Sequence, residues 1–229
     1  MALYPMNVDI SGWRCLVVGG GQVAYRKVKT LVDYGAKVDV LAPELTSPVQ
    51  ELVDKGSVGY IAHDFREDIL DEYAMVMVAT GDSFTNRQVA EAAQNRNLLV
   101  NVADAPEHCS FMVPAVCRRG DLTVSISTGG KSPALARTLR EKLEEELGPE
   151  LEKLNAFLGE VRAYLLENFS DAEFRREVLQ CLGDYRVAAF YRRGEGAELE
   201  EAVWSFLRRK EVNHASGNCQ VNEDSQRKE

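Results

Sequence analysis

Apolar positions along this chain fall into short unbroken runs separated by stretches of helical period. Arg14-Cys15-Leu16-Val17-Val18 is such a run, and it ends at three glycines, as a strand buried on both faces does. From Gln22 to Tyr34 the apolar residues Ala24, Val28, Leu31 and Val32 recur at helical spacing, and Gly35 supplies a stop. Lys37 to Ala42 predicts a second strand closed by Pro43; Val49, Leu52 and Val53 mark a short helix, and Val58 to Ala62 a third strand. Met75 to Ala79 predicts a fourth strand that stops at Thr80-Gly81-Asp82, followed by a helix over Thr85 to Asn95 and a fifth strand over Leu98 to Ala103. Strands alternating with helices predict right-handed βαβ units and a parallel sheet. Leu122 to Ile126 is one further strand, reached through Phe111-Met112-Val113-Pro114.

Beyond Gly129-Gly130 the pattern changes. Ser132-Pro133 reads as an N-cap with proline at the first helical position, and the helix Ala134 to Leu147 carries Leu135, Leu139 and Leu143. After Gly148-Pro149 the chain is helical and polar-faced, and Ser170 with Glu173 matches a capping box. From about Glu211 apolar periodicity is lost, which predicts a disordered tail. The expected architecture is α/β: a Rossmann-like dinucleotide-binding domain over 1–113, a connecting segment over 114–147, a small helical domain over 148–210, and the tail over 211–229.

Composition narrows the class. At 229 residues, with 45% hydrophobic and 28% charged residues, the chain is an ordinary globular protein. No run approaches the length of a membrane span, and the N-terminus lacks the basic start and apolar core of a signal peptide, so a cytoplasmic protein is expected. Five scattered cysteines and three distant histidines predict neither a disulfide framework nor a preformed metal site. The net charge of −9 argues against non-specific nucleic-acid binding. One segment runs against that balance: between Arg118 and Lys142 six basic residues (Arg118, Arg119, Lys131, Arg137, Arg140, Lys142) face two acids, Asp121 and Glu141. It reads as a solvated helix face or as a binding site for an anionic small molecule.

Chemistry concentrates at three places. Gly19-x-Gly21-x-x-Ala24 directly follows a strand and opens a helix, a context in which Gly19, Gly20 and Gly21 let the backbone approach a pyrophosphate held by the helix N-terminus. The acid that usually grips the adenine ribose is replaced by Ala42, which shifts that contact to Pro43 and Glu44. Between Leu41 and Gln50 no Arg or Lys is present to meet a 2′-phosphate, so NAD is expected rather than NADP. Thr80, Gly81 and Asp82 should form the opposite rim of the crevice. Asp104 follows the fifth strand on the same side of the sheet, where it serves either as a turn residue or as a group that moves protons. Ser127-Thr128-Gly129-Gly130-Lys131-Ser132-Pro133 is either a capped loop or an anion cradle of hydroxyls, a lysine and a helix N-terminus.

Taken together, VVGGGQVAYRKVKTL (17–31), NVADAP (101–106), SFMVPA (110–115) and STGGKSPALAR (127–137) resemble the precorrin-2 dehydrogenase family, which includes the dehydrogenase–ferrochelatase module of sirohaem synthase. The similarity covers about residues 3–165 and weakens after that. It implies NAD-dependent oxidation of precorrin-2 to sirohydrochlorin, followed in many members by Fe²⁺ insertion at the same site to give sirohaem. It implies Asp104 as general base and Gln22, Val23, Pro43 and Glu44 along the cofactor. Ser127 and Thr128 are the implied hydroxyl pair of the substrate cleft, with Thr128 standing where some members carry serine. The eight carboxylates of the substrate would give the basic segment, with Gly129, Lys131, Ser132 and Arg137, a purpose. His108 and Cys109 read as ordinary loop residues or as transient iron contacts. The resemblance also implies a homodimer in which Leu122 to Leu147 crosses to the partner. The chain stops short of the methyltransferase extension of fused sirohaem synthases, so no S-adenosylmethionine site is expected and another protein would supply precorrin-2. The competing class is a regulatory module that senses NAD without chemistry, which would have no need of the cluster from Ser127 to Arg137.

Overall fold

The computed structural model describes residues 3–61 and 64–224. Two compact units emerge, residues 1–114 with 127–136, and residues 115–126 with 137–229; the segment expected over 114–147 is thus divided between them.

The first unit holds a five-stranded parallel sheet in the order β3-β2-β1-β4-β5, with β1 (Arg14–Val18), β2 (Lys37–Leu41), β3 (Gly59–Ile61), β4 (Met75–Val78) and β5 (Leu99–Val102). This is the α/β Rossmann-like arrangement that the alternating runs predict, and it reverses direction between β1 and β4. Alternation along β1 explains why the run is apolar throughout. Cys15 and Val17 join Ala24, Val28 and Leu31 of α1 (Gln22–Asp33) and Val49 of α2 (Ser47–Asp54) in one core. Leu16 and Val18 join Val89, Ala90 and Ala93 of α3 (Ser83–Asn95) in the core on the other face. Each fully buried valine or leucine contributes about 1.5–3 kcal/mol over its exposed state. Burial pushes the Cys15 thiol up to about 11, so it packs as a small hydrophobe.

The second unit contains a hairpin, β6 (Ala115–Arg119) and β7 (Leu122–Ile126), paired antiparallel from Ala115 opposite Ile126 to Arg119 opposite Leu122. β6 was not expected: two arginines end it and Pro114 precedes it, which blurs the alternation. Helix α4 (Pro133–Glu146) begins in the first unit and continues into the second. α5 (Glu150–Asn168), α6 (Ala172–Leu182), α7 (Ala188–Arg192) and α8 (Gly196–Asp224) complete the second unit. Its core centres on Phe157, Val161, Leu165 and Leu207, with Trp204 edge-on to Phe157 at 5.9 Å and to Tyr164 at 5.3 Å.

Two local expectations are corrected. The cap of α6 is Asp171, whose carboxylate accepts from the N–H groups of Glu173 and Phe174; Ser170 lies one residue too early. The tail expected from 211 continues α8 through Asp224, because elongation adds a hydrogen bond per residue and no proline interrupts it; residues 225–229 lie outside the described chain. Ala62, expected to end β3, also lies outside the described residues. No helix among the described residues is long and apolar enough to cross a membrane.

Candidate functional site

The glycine turn sits at the carboxyl end of β1, where the strand order reverses. Gly19 has φ +122, and a Cβ there would lie 2.4 Å from the Ala79 carbonyl oxygen. A Cβ on Gly20 would lie 2.0 Å from the Glu44 carbonyl oxygen. The first two glycines therefore let the turn nest between the ends of β4 and β2. Thr46 fixes it, donating both its N–H and its hydroxyl to the Gly20 carbonyl at 2.9 Å. Gly21 differs. A Cβ there would meet nothing within 4 Å, and as N-cap of α1 it offers no side-chain acceptor. The first-turn N–H groups of α1, including those of Gln22 and Val23, are left with the helix dipole and open space. That donor set fits a pyrophosphate.

Ala42, at the position where an acid usually grips an adenine ribose, is buried at 2% exposure. Pro43 and Glu44 are exposed just beyond it, and the Tyr60 hydroxyl reaches the Ala42 carbonyl at 3.1 Å. A cavity of about 510 Å³ at the end of β3 is lined by Ile61, Asp64, Arg66 and Ile69. Arg66 is ion-paired with Asp68.

On the other rim, Thr80 donates its hydroxyl to the Asn86 side chain at 2.6 Å, and Gly81 is exposed. Asp82 caps α3, accepting from the N–H groups of Phe84 (3.2 Å) and Thr85 (3.0 Å). The Thr85 hydroxyl and these two N–H groups hold its carboxyl below the usual range.

Asp104 follows β5 in the left-handed region at φ +59, exposed at the same end of the sheet as the glycine turn. Its loop is anchored from below. Asn101, 7% exposed, donates to the Phe111 carbonyl at 3.1 Å and accepts from the Lys27 ammonium at 2.6 Å. The buried Cys109 sulfur accepts from Val102 N–H at 3.1 Å and approaches the Ala105 carbonyl at 3.4 Å. Its thiol is thereby committed to the loop, and the loop reading of Cys109 is the one the geometry favours. Gln94 donates to the His108 carbonyl, and the His108 ring lies 3.9 Å from Glu107. The described residues contain no cluster of three metal-binding side chains.

In the segment 127–136 the hydroxyls cap their own loop. Ser127 accepts from Gly129 N–H at 3.2 Å, Thr128 from Ser132 N–H at 3.1 Å, and Ser132 from Leu135 N–H at 3.2 Å. Gly129 and Lys131 are exposed, and the Lys131 side chain has no ion-pair partner among the described residues. Much of the basic segment is spent internally. Arg119 donates to the Leu147 and Glu144 carbonyls at the end of α4, Arg137 pairs with Glu141 at 2.8 Å, and Arg140 with Glu144 at 2.6 Å. Sequence reading missed Thr46, Lys27 and Asn101. Only Lys27 left a signal, since it shares the apolar stripe of Ala24, Val28 and Leu31.

A parallel sheet with a glycine turn and an open helix N-terminus at its reversal point defines a dinucleotide-binding protein of the Rossmann class, and its cofactor is a nicotinamide dinucleotide. A family model of NAD(P)-binding domains matches residues 6–115, and the model described as sirohaem biosynthesis protein central matches residues 119–146. Across both stretches the chain is similar to sirohaem synthases and to a precorrin-2 dehydrogenase. Siroheme synthase of Methylobacillus flagellatus is 40% identical over 77% of this chain and 38% of its own length. Siroheme synthase 1 of Yersinia enterocolitica is 38% identical over 89% of this chain and 43% of its own. The chain therefore spans roughly two fifths of the length of these curated relatives. Among solved structures, SirC, precorrin-2 dehydrogenase, superposes with a TM-score of 0.72 at 27% identity, covering 87% of this chain and all (100%) of SirC.

Proposed function

We propose that this protein oxidises precorrin-2 to sirohydrochlorin with NAD⁺. The match over the whole of SirC, a precorrin-2 dehydrogenase, is the observation that carries this reading. In the reaction the substrate loses two hydrogens. One leaves as hydride to the nicotinamide, which is the chemistry the cofactor supplies; the other leaves as a proton. Asp104, exposed at the carboxyl end of the sheet, takes that proton. Gly21, Gln22 and Val23 hold the pyrophosphate on the α1 N-terminus, Pro43 and Glu44 flank the ribose, and Thr80 to Asp82 bound the nicotinamide side. Ser127, Thr128, Gly129, Lys131, Ser132 and Arg137 meet the substrate carboxylates, with Lys131 the freest cation of the set.

NAD is the dinucleotide because residues 41–50 carry no Arg or Lys and Arg66 is already paired with Asp68. The division of labour follows the chain: nucleotide binding to about 113, dimerisation and substrate contact over 114–147, and a helical domain beyond. A homodimer is supported by the outer face of α4, where Leu135 and Leu139 are 52% and 41% exposed. Fe²⁺ is a second substrate of the same site, with Asp104 accepting the pyrrole protons that the metal displaces.

Anaerobic mixing of the protein with precorrin-2 and NAD⁺ should convert the visible spectrum to that of sirohydrochlorin, and NADP⁺ should substitute poorly. Tight NAD⁺ binding without conversion would assign the chain to NAD sensing. Conversion of another anionic substrate in preference to precorrin-2 would reassign the dehydrogenase. Adding Fe²⁺ to preformed sirohydrochlorin, with and without protein, tests the chelatase step separately.

A further inference from the structure

Lysines beside an apolar helix stripe ordinarily turn their ammonium outward to water. Lys27 does the reverse. It lies on α1 between Ala24 and Leu31, both buried, and its ammonium turns inward to donate to the Asn101 carbonyl oxygen at 2.6 Å. Asn101 is the only buried polar or charged residue among the described ones, at 7% exposure. Every polar atom of that amide is used: the oxygen takes Lys27, and the nitrogen donates to the Phe111 carbonyl at 3.1 Å and approaches the Cys109 sulfur at 3.6 Å. Phe111 and Cys109 lie at the far end of the loop that starts with Asp104 in its left-handed conformation, so Asn101 ties that end back to β5 and α1.

Burying an ammonium is costly, and an apolar residue in its place would leave the buried Asn101 carbonyl oxygen without its donor. Burial indeed pulls the Lys27 ammonium below the usual lysine range, and Cys109 and Asp104 act against that shift. Of the groups around it, Asn101 is neutral, Glu107 and His108 on the same loop lie against one another, and Asp104 is the carboxylate that favours the cation. Lys27 also stands on the helix whose N-terminus receives the nucleotide, so one side chain links the cofactor cradle to the Asp104 loop.

We propose that Lys27 is a positioning residue for Asp104: through Asn101 its cation ties the nucleotide-binding helix to the exit of β5, where the Asp104 loop begins. This rests on the reading that Asp104 takes the substrate proton. A carboxylate displaced by an ångström from its reacting hydrogen loses rate without losing cofactor affinity. The device therefore acts on kcat and leaves nucleotide binding alone.

In the full-length protein, Lys27→Met should lower kcat by about tenfold or more, with KM for NAD⁺ unchanged within about threefold. Lys27→Gln keeps a hydrogen bond to Asn101 and loses the charge; it should show the same split and guards against a folding defect in the methionine variant. Lys27→Arg should recover part of the lost rate. A second arm needs no turnover. Followed by NMR of the lysine side chain, the titration midpoint of Lys27 should fall further in Asp104→Asn, because the carboxylate that favours the ammonium is gone. Wild-type kcat in Lys27→Gln, or an unmoved Lys27 midpoint in Asp104→Asn, overturns the proposal. Failure of the unsubstituted protein to oxidise precorrin-2 would instead overturn the functional reading, and the NMR arm still decides the coupling.

Discussion

A left-handed backbone is uncommon for an aspartate, and Asp104 adopts one at φ +59 immediately after a buried strand. The conformation lifts its carboxylate out of the loop while Asn101 and Cys109 hold the backbone beneath. Asp104→Ala should abolish NADH formation and leave NAD⁺ affinity within about threefold, as calorimetry would show; retained turnover would place the proton elsewhere. The glycines separate by the same reasoning. Gly19→Ala forces a Cβ to 2.4 Å from the Ala79 carbonyl oxygen at a positive φ, and should destabilise the protein by more than about 2 kcal/mol in thermal unfolding. Gly21→Ala meets nothing within 4 Å, so the fold should tolerate it while the new methyl crowds the pyrophosphate and weakens NAD⁺ binding. The glycine turn at the end of β1 was legible in the sequence, and so was the absence of an acid at Ala42. Lys27 and Asn101 were not: their partnership joins positions 74 residues apart, which only the folded sheet brings together.

At the scale of elements, strong periodicity carried through and local chemistry decided the ends. The five strands and α1 to α3 stand where apolar spacing places them. The cap of α6 moved from Ser170 to Asp171 because a carboxylate one residue later reaches two N–H groups. Asp171→Ala should cost about 1 kcal/mol, read as a lower denaturation midpoint, while Ser170→Ala should cost little. The short 3-10 turn Tyr185–Val187 is headed by Asp184, whose carboxyl the Arg186 side chain and N–H hold down at about 2, against 3.8 ordinarily. A carboxyl lowered by folding stabilises the fold above its unfolded value, and that contribution is lost as pH falls through the folded one. Asp184→Asn should therefore lower stability in the neutral range and flatten the acid limb between about pH 4 and pH 2, so that the two proteins converge in acid. The hairpin strand β6 escaped the sequence because five residues ending in two arginines carry too little alternation, and its pairing with β7 is a tertiary fact.

The whole molecule joins a nucleotide unit to a helical unit through a helix, α4, that begins in one and continues in the other. Its exposed leucines are the proposed dimer contact, and on that proposal Leu135→Asp with Leu139→Asp should lower the mass from dimer to monomer in sedimentation equilibrium. An unchanged mass would place the interface elsewhere. The central claim is that one site removes two hydrogens from precorrin-2 and delivers one of them to NAD⁺. The direct measurement is the stoichiometry of a single anaerobic reaction, with NADH and sirohydrochlorin followed together by absorbance. The account predicts equal amounts of the two products, formed at the same rate and absent with Asp104→Ala. Sirohydrochlorin appearing without NADH, or NAD⁺ bound with neither product, would contradict it.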